Sequence, residues 1–189
     1  MNSMSITQPI TQQTKTDSLE DSWIKAAQKD LKAFEKLYDK HYEAIFRYAY
    51  QRMDSKEDAA DVTSQVFIKA MTNIKKYKFM GFKFSSWLYR IAKSETYQFL
   101  KNQSKSPTLN VQTEYLEQLS EEIDVPVSIG NQDLINALSE LEDNEIELIE
   151  MRFFEQRSFK EIAEILELTE NNAKVKTHRV IKKMQKLNN

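Results

Sequence analysis

The sequence predicts an all-α protein of two small helical domains joined by a flexible linker, the C-terminal one a helix-turn-helix. In 189 residues the only glycines are Gly81 and Gly130 and the only prolines are Pro9, Pro107 and Pro126, so long spans run without a helix breaker. Within those spans apolar residues recur at steps of three and four, the spacing of one helix face, and strand signals are weak throughout. Breakers and acids gather between Pro107 and Gly130, which places the linker there. The division that follows is a disordered polar tail over residues 1–20, a front domain over 21–101, an acidic linker over 102–130 and a C-terminal domain over 131–189.

In the front domain, Phe34, Leu37, Tyr38, Tyr42, Ile45, Phe46 and Ala49 keep the helical step while lysines and acids fill the other face. The next helix opens after Asp54 and Ser55, carries Glu57 and Asp58 in its first turn, where acids suit the helix dipole, and runs through Ala59, Val62, Val66, Phe67 and Ala70. A loop from Asn73 to Phe84 then sets Lys75, Lys76, Lys78 and Lys83 among Tyr77, Phe79, Phe82 and Phe84. Ser85 and Ser86 are candidate caps for a last helix through Trp87, Leu88, Tyr89, Ile91, Ala92, Tyr97, Phe99 and Leu100. Interleaved cations and aromatics suit single-stranded nucleic acid, because any base stacks on a ring while lysines hold the backbone. Aromatics at helical spacing are more often core, which is the place assigned to Trp87, Leu88 and Ile91. A short loop, however, cannot bury several aromatics by itself.

In the C-terminal domain, Phe159, Ile162, Ala163 and Leu166 line one face of a helix about two turns long. Leu168 is an apolar turn residue, Thr169 an N-cap ahead of Glu170, and Ala173, Thr177, Val180, Met184 and Leu187 resume the helical period. This spacing is that of a DNA-binding unit whose second helix enters the major groove. From Lys174 to Lys186 every charge is basic (Lys174, Lys176, Arg179, Lys182, Lys183 and Lys186), whereas Glu140 to Glu170 holds eleven acids against Arg152, Arg157 and Lys160. A polyanion would meet only the basic side, where released counterions supply affinity. The plainer reading of the same charges is a solvated face on a helical core.

Charge is unevenly placed although the net value is only −2. The front domain has sixteen basic against ten acidic residues, the linker one against five, and the C-terminal domain nine against twelve. The absence of cysteine excludes disulfides, thiolate metal sites and cysteine nucleophiles. No apolar run reaches membrane-spanning length and the first twenty residues lack a hydrophobic signal core, so a cytoplasmic protein without membrane insertion is expected. The two histidines, His41 and His178, fall in separate domains without a nucleophile or ligand set, so no enzyme, metal or cofactor is expected. His178 is placed beside the DNA-facing side and His41 on a partly exposed helix face.

The run from Asp58 to Ala70, followed by Phe84 to Ala92, resembles the extracytoplasmic-function group of bacterial sigma factors, and Phe159-Lys-Glu-Ile-Ala163, continuing to Lys174 and His178-Arg179, is similar to that group's promoter-reading domain. The blocks stand in the family's order between Ser22 and about Leu187. The resemblance implies a non-catalytic alternative sigma factor that binds core RNA polymerase, melts the minus-10 element and reads the minus-35 element. It implies contact with the clamp helices of the largest polymerase subunit through Asp58, Asp61, Gln65 and Phe67, and with the flap of the second. It assigns the minus-10 strand to Tyr77, Phe79, Phe82, Lys83, Trp87, Arg90, Lys93, Ser94 and Lys101. The minus-35 duplex goes to Asn171, Asn172, Lys174, Lys176, His178 and Arg179, and an anti-sigma protein is a further partner. Three departures stand out: Ser64 and Gln65 where the family has glutamine and glutamate, Ser94 in place of an asparagine used for the flipped base, and Glu167 in a turn where glycine is frequent.

Two other readings compete. A stand-alone helix-turn-helix regulator would leave the aromatic loop and the clamp-like helix unexplained and would need a dimer interface for paired half-sites. A helical adaptor would use its basic patches on an acidic protein. In the linker, Tyr115, Leu116, Leu119 and Ile123 are spaced for a short amphipathic helix, with Glu114, Glu117, Glu121 and Glu122 expected to mimic nucleic-acid charge along the polymerase RNA exit path.

Overall fold

The computed structural model describes residues 10–79, 82–103, 116, 119 and 131–187, and among them every regular element is helical. Helix α1 (Ile10–Lys29) ends at Asp30, whose carboxylate accepts from the Lys32 amide at 3.0 Å and caps a 3₁₀ turn, Leu31–Phe34. Helix α2 (Glu35–Tyr50) continues from it. Helix α3 (Lys56–Asn73) starts on Ser55, whose Oγ accepts from the Asp58 amide at 3.1 Å, with Glu57 and Asp58 in the first turn as the dipole argument requires. A second 3₁₀ turn, Ile74–Lys76, leads to the aromatic loop and to α4 (Phe84–Asn102). Packing of α2 on α3 and of α3 on α4 encloses Leu37, Ile45, Ala49, Val62, Val66, Ala70, Leu88 and Ala92, none more than 2% exposed. The Gln28 amide of α1 donates to the carbonyls of Ile74 (3.1 Å) and Tyr77 (2.8 Å), which fixes the start of the loop.

Three local expectations are corrected here. Residues 10–20, read as part of a disordered tail, belong to α1, and Glu20 is buried with its carboxylate 2.5 Å from His41 Nε2 and 3.1 Å from Lys40 Nζ. His41 is therefore a buried, bonded residue packed beside the Phe84 ring, not a partly exposed one. Ser85 and Ser86 do not cap α4: the helix begins at Phe84, and Lys83 holds the cap position without a side-chain bond.

The second unit comprises α5 (Asn131–Ser139), α6 (Asp143–Ile149), a π turn over Glu150–Phe154, α7 (Phe159–Leu166) and α8 (Glu170–Leu187). Helices α5, α6 and α7 all lie against α8, whose inward face is Ala173, Val180 and Met184. The two units are not separate in space. Helix α4 packs on α7, and the buried apolar side chains of both form one continuous cluster. Leu116 and Leu119 are helical and buried in that cluster, while the other residues named for the linker helix lie outside the described residues. Among the described residues no helix is long and apolar enough to cross a membrane.

Candidate nucleic-acid interface

The helix-turn-helix is built by two caps and one strained turn. Ser158 Oγ accepts from the Glu161 amide (3.2 Å) and the Glu161 carboxylate accepts from the Ser158 amide (3.1 Å), a reciprocal box that starts α7. Glu167 ends it in the left-handed region, φ 56° and ψ 43°, and the Leu168 amide bonds back to the Ala163 carbonyl at 2.9 Å. Thr169 Oγ1 then accepts from the Asn172 amide at 3.2 Å and starts α8. Thr177 is fully buried and donates to the Ala173 carbonyl, so the face bearing Ala173, Thr177, Val180 and Met184 turns inward. The opposite face leaves Asn171, Asn172, Lys174, Lys176, His178 and Arg179 exposed, as the period demands, with the His178 ring 6.5 Å from that of Phe159.

The aromatic loop divides into wall and platform. Tyr77 is only 9% exposed; its ring lies 5.3 Å from Phe84 and 5.1 Å from Trp87, and its hydroxyl donates to the Phe82 carbonyl at 3.2 Å. It braces the loop and is not a free stacking surface, which corrects its expected role. Phe79 (67% exposed) and Phe82 (41%) are open, with the Arg90 guanidinium 5.4 Å from the Phe82 ring. Trp87 and Ile91 are half-buried, whereas Leu88 is wholly core. Between α3 and α4 lies a recess of about 490 Å³, bounded by Asn73, Tyr77, Trp87, Arg90, Ile91 and Ser94 and by Lys69, Lys76 and Glu95. Ser94, Lys93 and Lys101 are exposed.

On α3, Asp61 and Gln65 face outward and Asp58 is half-buried. Phe67 does not share that face. It is 4% exposed and its ring lies 4.7 Å from Tyr38 and 6.4 Å from Phe34, so the expected contact residue is core. The apolar side chains that α3 does expose are Ile68 (49%) and Met71 (36%), which sequence reading missed because the helix is apolar on more than one face.

Cations expected to stand free are engaged by the second unit. Lys83 lies 3.2 Å from Glu161, the Arg90 Nε donates to the Glu164 carbonyl at 2.7 Å, and Lys93 Nζ lies 2.7 Å from Glu147. Burial pushes the Glu161 carboxyl up, but its bonds with Ser158 and the charge of Lys83 outweigh that and hold it below the usual range. Deeper in, Arg47 grips Glu155 through two bonds of 2.9 Å, Tyr89 donates to the same carboxylate at 2.6 Å, Arg52 pairs with Glu150, Tyr48 donates to Glu147 at 3.1 Å and Ser86 to Glu164 at 2.7 Å. Of these acids, sequence reading took Glu164 as solvated, and the structure buries it. The signal available was Glu147 and Glu150 among Ile146, Leu148, Ile149 and Met151, charges set inside an apolar run.

Residues 37–106 match the family model of sigma-70 region 2, and residues 131–184 that of sigma-70 region 4. Over 160 residues, 82% of its length, the chain is 30% identical to the ECF RNA polymerase sigma factor BldN of Streptomyces coelicolor, and over 161 residues it is 27% identical to the ECF RNA polymerase sigma factor SigW of Bacillus subtilis. The chain belongs to the extracytoplasmic-function sigma factors. This sigma factor spans 60% of the length of BldN and 86% of SigW. Its fold is similar to that of CnrH in complex with the cytosolic domain of CnrY, with a TM-score of 0.62 and 18% identity over 87% of this chain and 94% of that one. It is also similar to the sigma factor RpoE of Bartonella quintana in complex with the anti-sigma factor NepR, with a TM-score of 0.57 and 18% identity over 82% of this chain and 96% of that one.

Proposed function

We propose that this sigma factor is a dissociable, non-catalytic initiation subunit that works in the cytoplasm and brings core RNA polymerase to one class of promoters. The front domain, residues 21–101, takes the clamp helices and the minus-10 element; the C-terminal domain, 131–189, takes the minus-35 duplex and the flap. On α3 the clamp contact is Asp61 and Gln65 with Asp58 beside them, and the apolar part of that surface is Ile68 and Met71 in place of the buried Phe67. On α8, Asn171, Asn172 and Arg179 suit base edges, since amides and guanidinium bond in pairs, while Lys174 and Lys176 suit phosphates.

The observation that carries the reading is the recess between α3 and α4, whose Arg90 lies 5.4 Å from the open ring of Phe82. It has a flat wall in Trp87, polar edges in Asn73 and Ser94, and the cations Lys69, Lys76 and Arg90 around it. A base taken out of its stack needs such a pocket, and a protein that binds only duplex has no use for one. An anti-sigma protein covering these surfaces is a further partner in this reading. Its support is the likeness of fold to the sigma factor RpoE, whose structure contains the anti-sigma factor NepR.

The test is reconstituted initiation with purified core polymerase on promoter fragments from the source genome. Transcripts should appear only with the sigma factor and vanish with Asp61→Arg. Phe79→Ala, at a site exposed enough to spare the fold, should lower transcription about five- to one-hundred-fold on duplex, the worth of one stacked base, and recover on a template already open at the minus-10 element. Duplex binding without any polymerase-dependent transcript would instead establish the stand-alone regulator.

A further inference from the structure

The outward face of α8 carries one apolar side chain among polar ones. Ala173, Thr177, Val180 and Met184 turn into the core, and on the opposite side Val175 stands 39% exposed. It lies four residues after Asn171, three after Asn172, three before His178 and four before Arg179, so on a helix those polar side chains are its immediate neighbours. Among the described residues of α7 and α8 no other large apolar side chain is exposed.

The fold does not account for this valine. An exposed helix position is better served by Ala, Lys, Gln or Glu, because a β-branched side chain loses χ1 freedom against the preceding turn. A single apolar residue on a surface is ordinary in itself. What sets Val175 apart is its place, in the middle of the amides and the guanidinium that the proposed function puts against base edges. An isopropyl group neither donates nor accepts a hydrogen bond. Against the acceptors of guanine, or the amino groups of cytosine and adenine, it would exclude water and return no bond, and a polar group left so is costly. The major groove presents one apolar group, the C5-methyl of thymine, and there the isopropyl gains contact without stranding a polar atom. The stiffness that makes valine a weak helix former then helps, since the side chain is already held in one rotamer and surrenders little freedom when a methyl group packs on it. The place of that methyl is bounded as well. Val175 is about 6 Å along the axis from both Asn171 and Arg179, which is under two base steps of roughly 3.4 Å.

We propose that Val175 is a specificity-determining residue of the minus-35 contact, and that it reads the methyl group of a thymine lying between the bases met by Asn171 and Arg179. The inference rests on the minus-35 reading of α8 and adds a residue and a base to it.

Uracil pairs with adenine as thymine does and lacks only the methyl group, so it isolates the contact. The minus-35 sequence is taken from promoter fragments that yield transcripts in the reconstituted system, and holoenzyme binding is measured on duplexes in which each thymine of that element, on either strand, is replaced in turn by uracil. One replacement should weaken binding about three- to fivefold, the worth of one buried methyl group, and the others should have little effect. Val175→Ala should lose about as much on the thymine duplex and be indifferent to uracil at that position, whereas Val175→Thr, which keeps one methyl, should retain part of the discrimination. The coupling between the protein change and the base change is the readout, and a helix that alanine merely perturbed would lose affinity for both duplexes alike without that coupling. Equal uracil sensitivity in the wild type and in Val175→Ala, or an element without a uracil-sensitive thymine, overturns the proposal while leaving the minus-35 reading in place. A holoenzyme that binds all minus-35 sequences alike removes that reading, and the role of Val175 with it.

Discussion

Glu167 sits at φ 56° and ψ 43°, where Cβ crowds the backbone and an L-residue pays roughly 1–2 kcal/mol that glycine does not. Its side chain is exposed. What forces the geometry is the chain itself, since α7 must stop and α8 start within three residues while the Leu168 amide closes on the Ala163 carbonyl. Glu167→Gly should therefore stabilise the protein by about 0.5–1 kcal/mol, the relief of strain less the extra entropy glycine loses on folding. A rise of about 1–4 °C in the thermal midpoint is the expected result, and a fall would show that the turn carries no strain. This position was legible in the sequence because the turn's place is set by the apolar steps on either side. The roles of Tyr77 and Phe67 were not. Both are aromatics next to charged neighbours, and only the packing of Phe84, Trp87, Phe34 and Tyr38 around them decides that they are interior.

Helices α2, α3, α4, α7 and α8 were readable because each buries one stripe and so writes a period into the sequence. The early part of α1 was not, since residues 10–18 are mostly Thr, Gln, Lys and Asp without an apolar step. The same stripe logic predicts how α8 divides its work. Asn172 stands in the first turn, where a recognition helix reaches base edges, and Lys182 stands three turns along, where only the backbone of DNA is in reach. In the holoenzyme, Asn172→Ala should cost about 1–3 kcal/mol on the preferred minus-35 sequence and relax the choice of base at one position. Lys182→Ala should weaken all sequences alike and lower the slope of log affinity against log salt by about 1. Binding to a panel of minus-35 variants at two salt concentrations separates these outcomes; equal, sequence-independent losses for both would place Asn172 on phosphate.

At the scale of the molecule, the sequence displayed a basic front and an acidic middle but not that they meet, because the glutamate that opens the π turn looks the same whether water or Arg52 lies beyond it. Their meeting buries Glu150 completely, and its titration follows. Burial pushes the Glu150 carboxyl up from the ordinary 4.5 to about 7, with Glu147 and Glu155 adding to the rise and Arg52 opposing it. Separating the two units returns the group to water and to its ordinary range, so packing them together takes up a proton between those two values. A carboxyl whose pKa is raised when the two units are packed together favours that packing at low pH and loses the contribution as pH rises through about 7. The equilibrium constant for packing the two units together should fall about tenfold between pH 6 and pH 8, about one unit of effective shift across that window. Energy transfer between dyes on Asp39→Cys in α2 and Ser139→Cys in α5, both exposed positions in a chain without native cysteine, measures that equilibrium directly. Glu150→Gln carries no titrating proton and should flatten the dependence whatever it does to the absolute ratio, because Arg52, Tyr48, Glu147 and Glu155 remain around it. Packing that strengthens as pH rises would mean that Arg52 keeps Glu150 ionised when the units are together, and would make the pair an attraction that acid breaks.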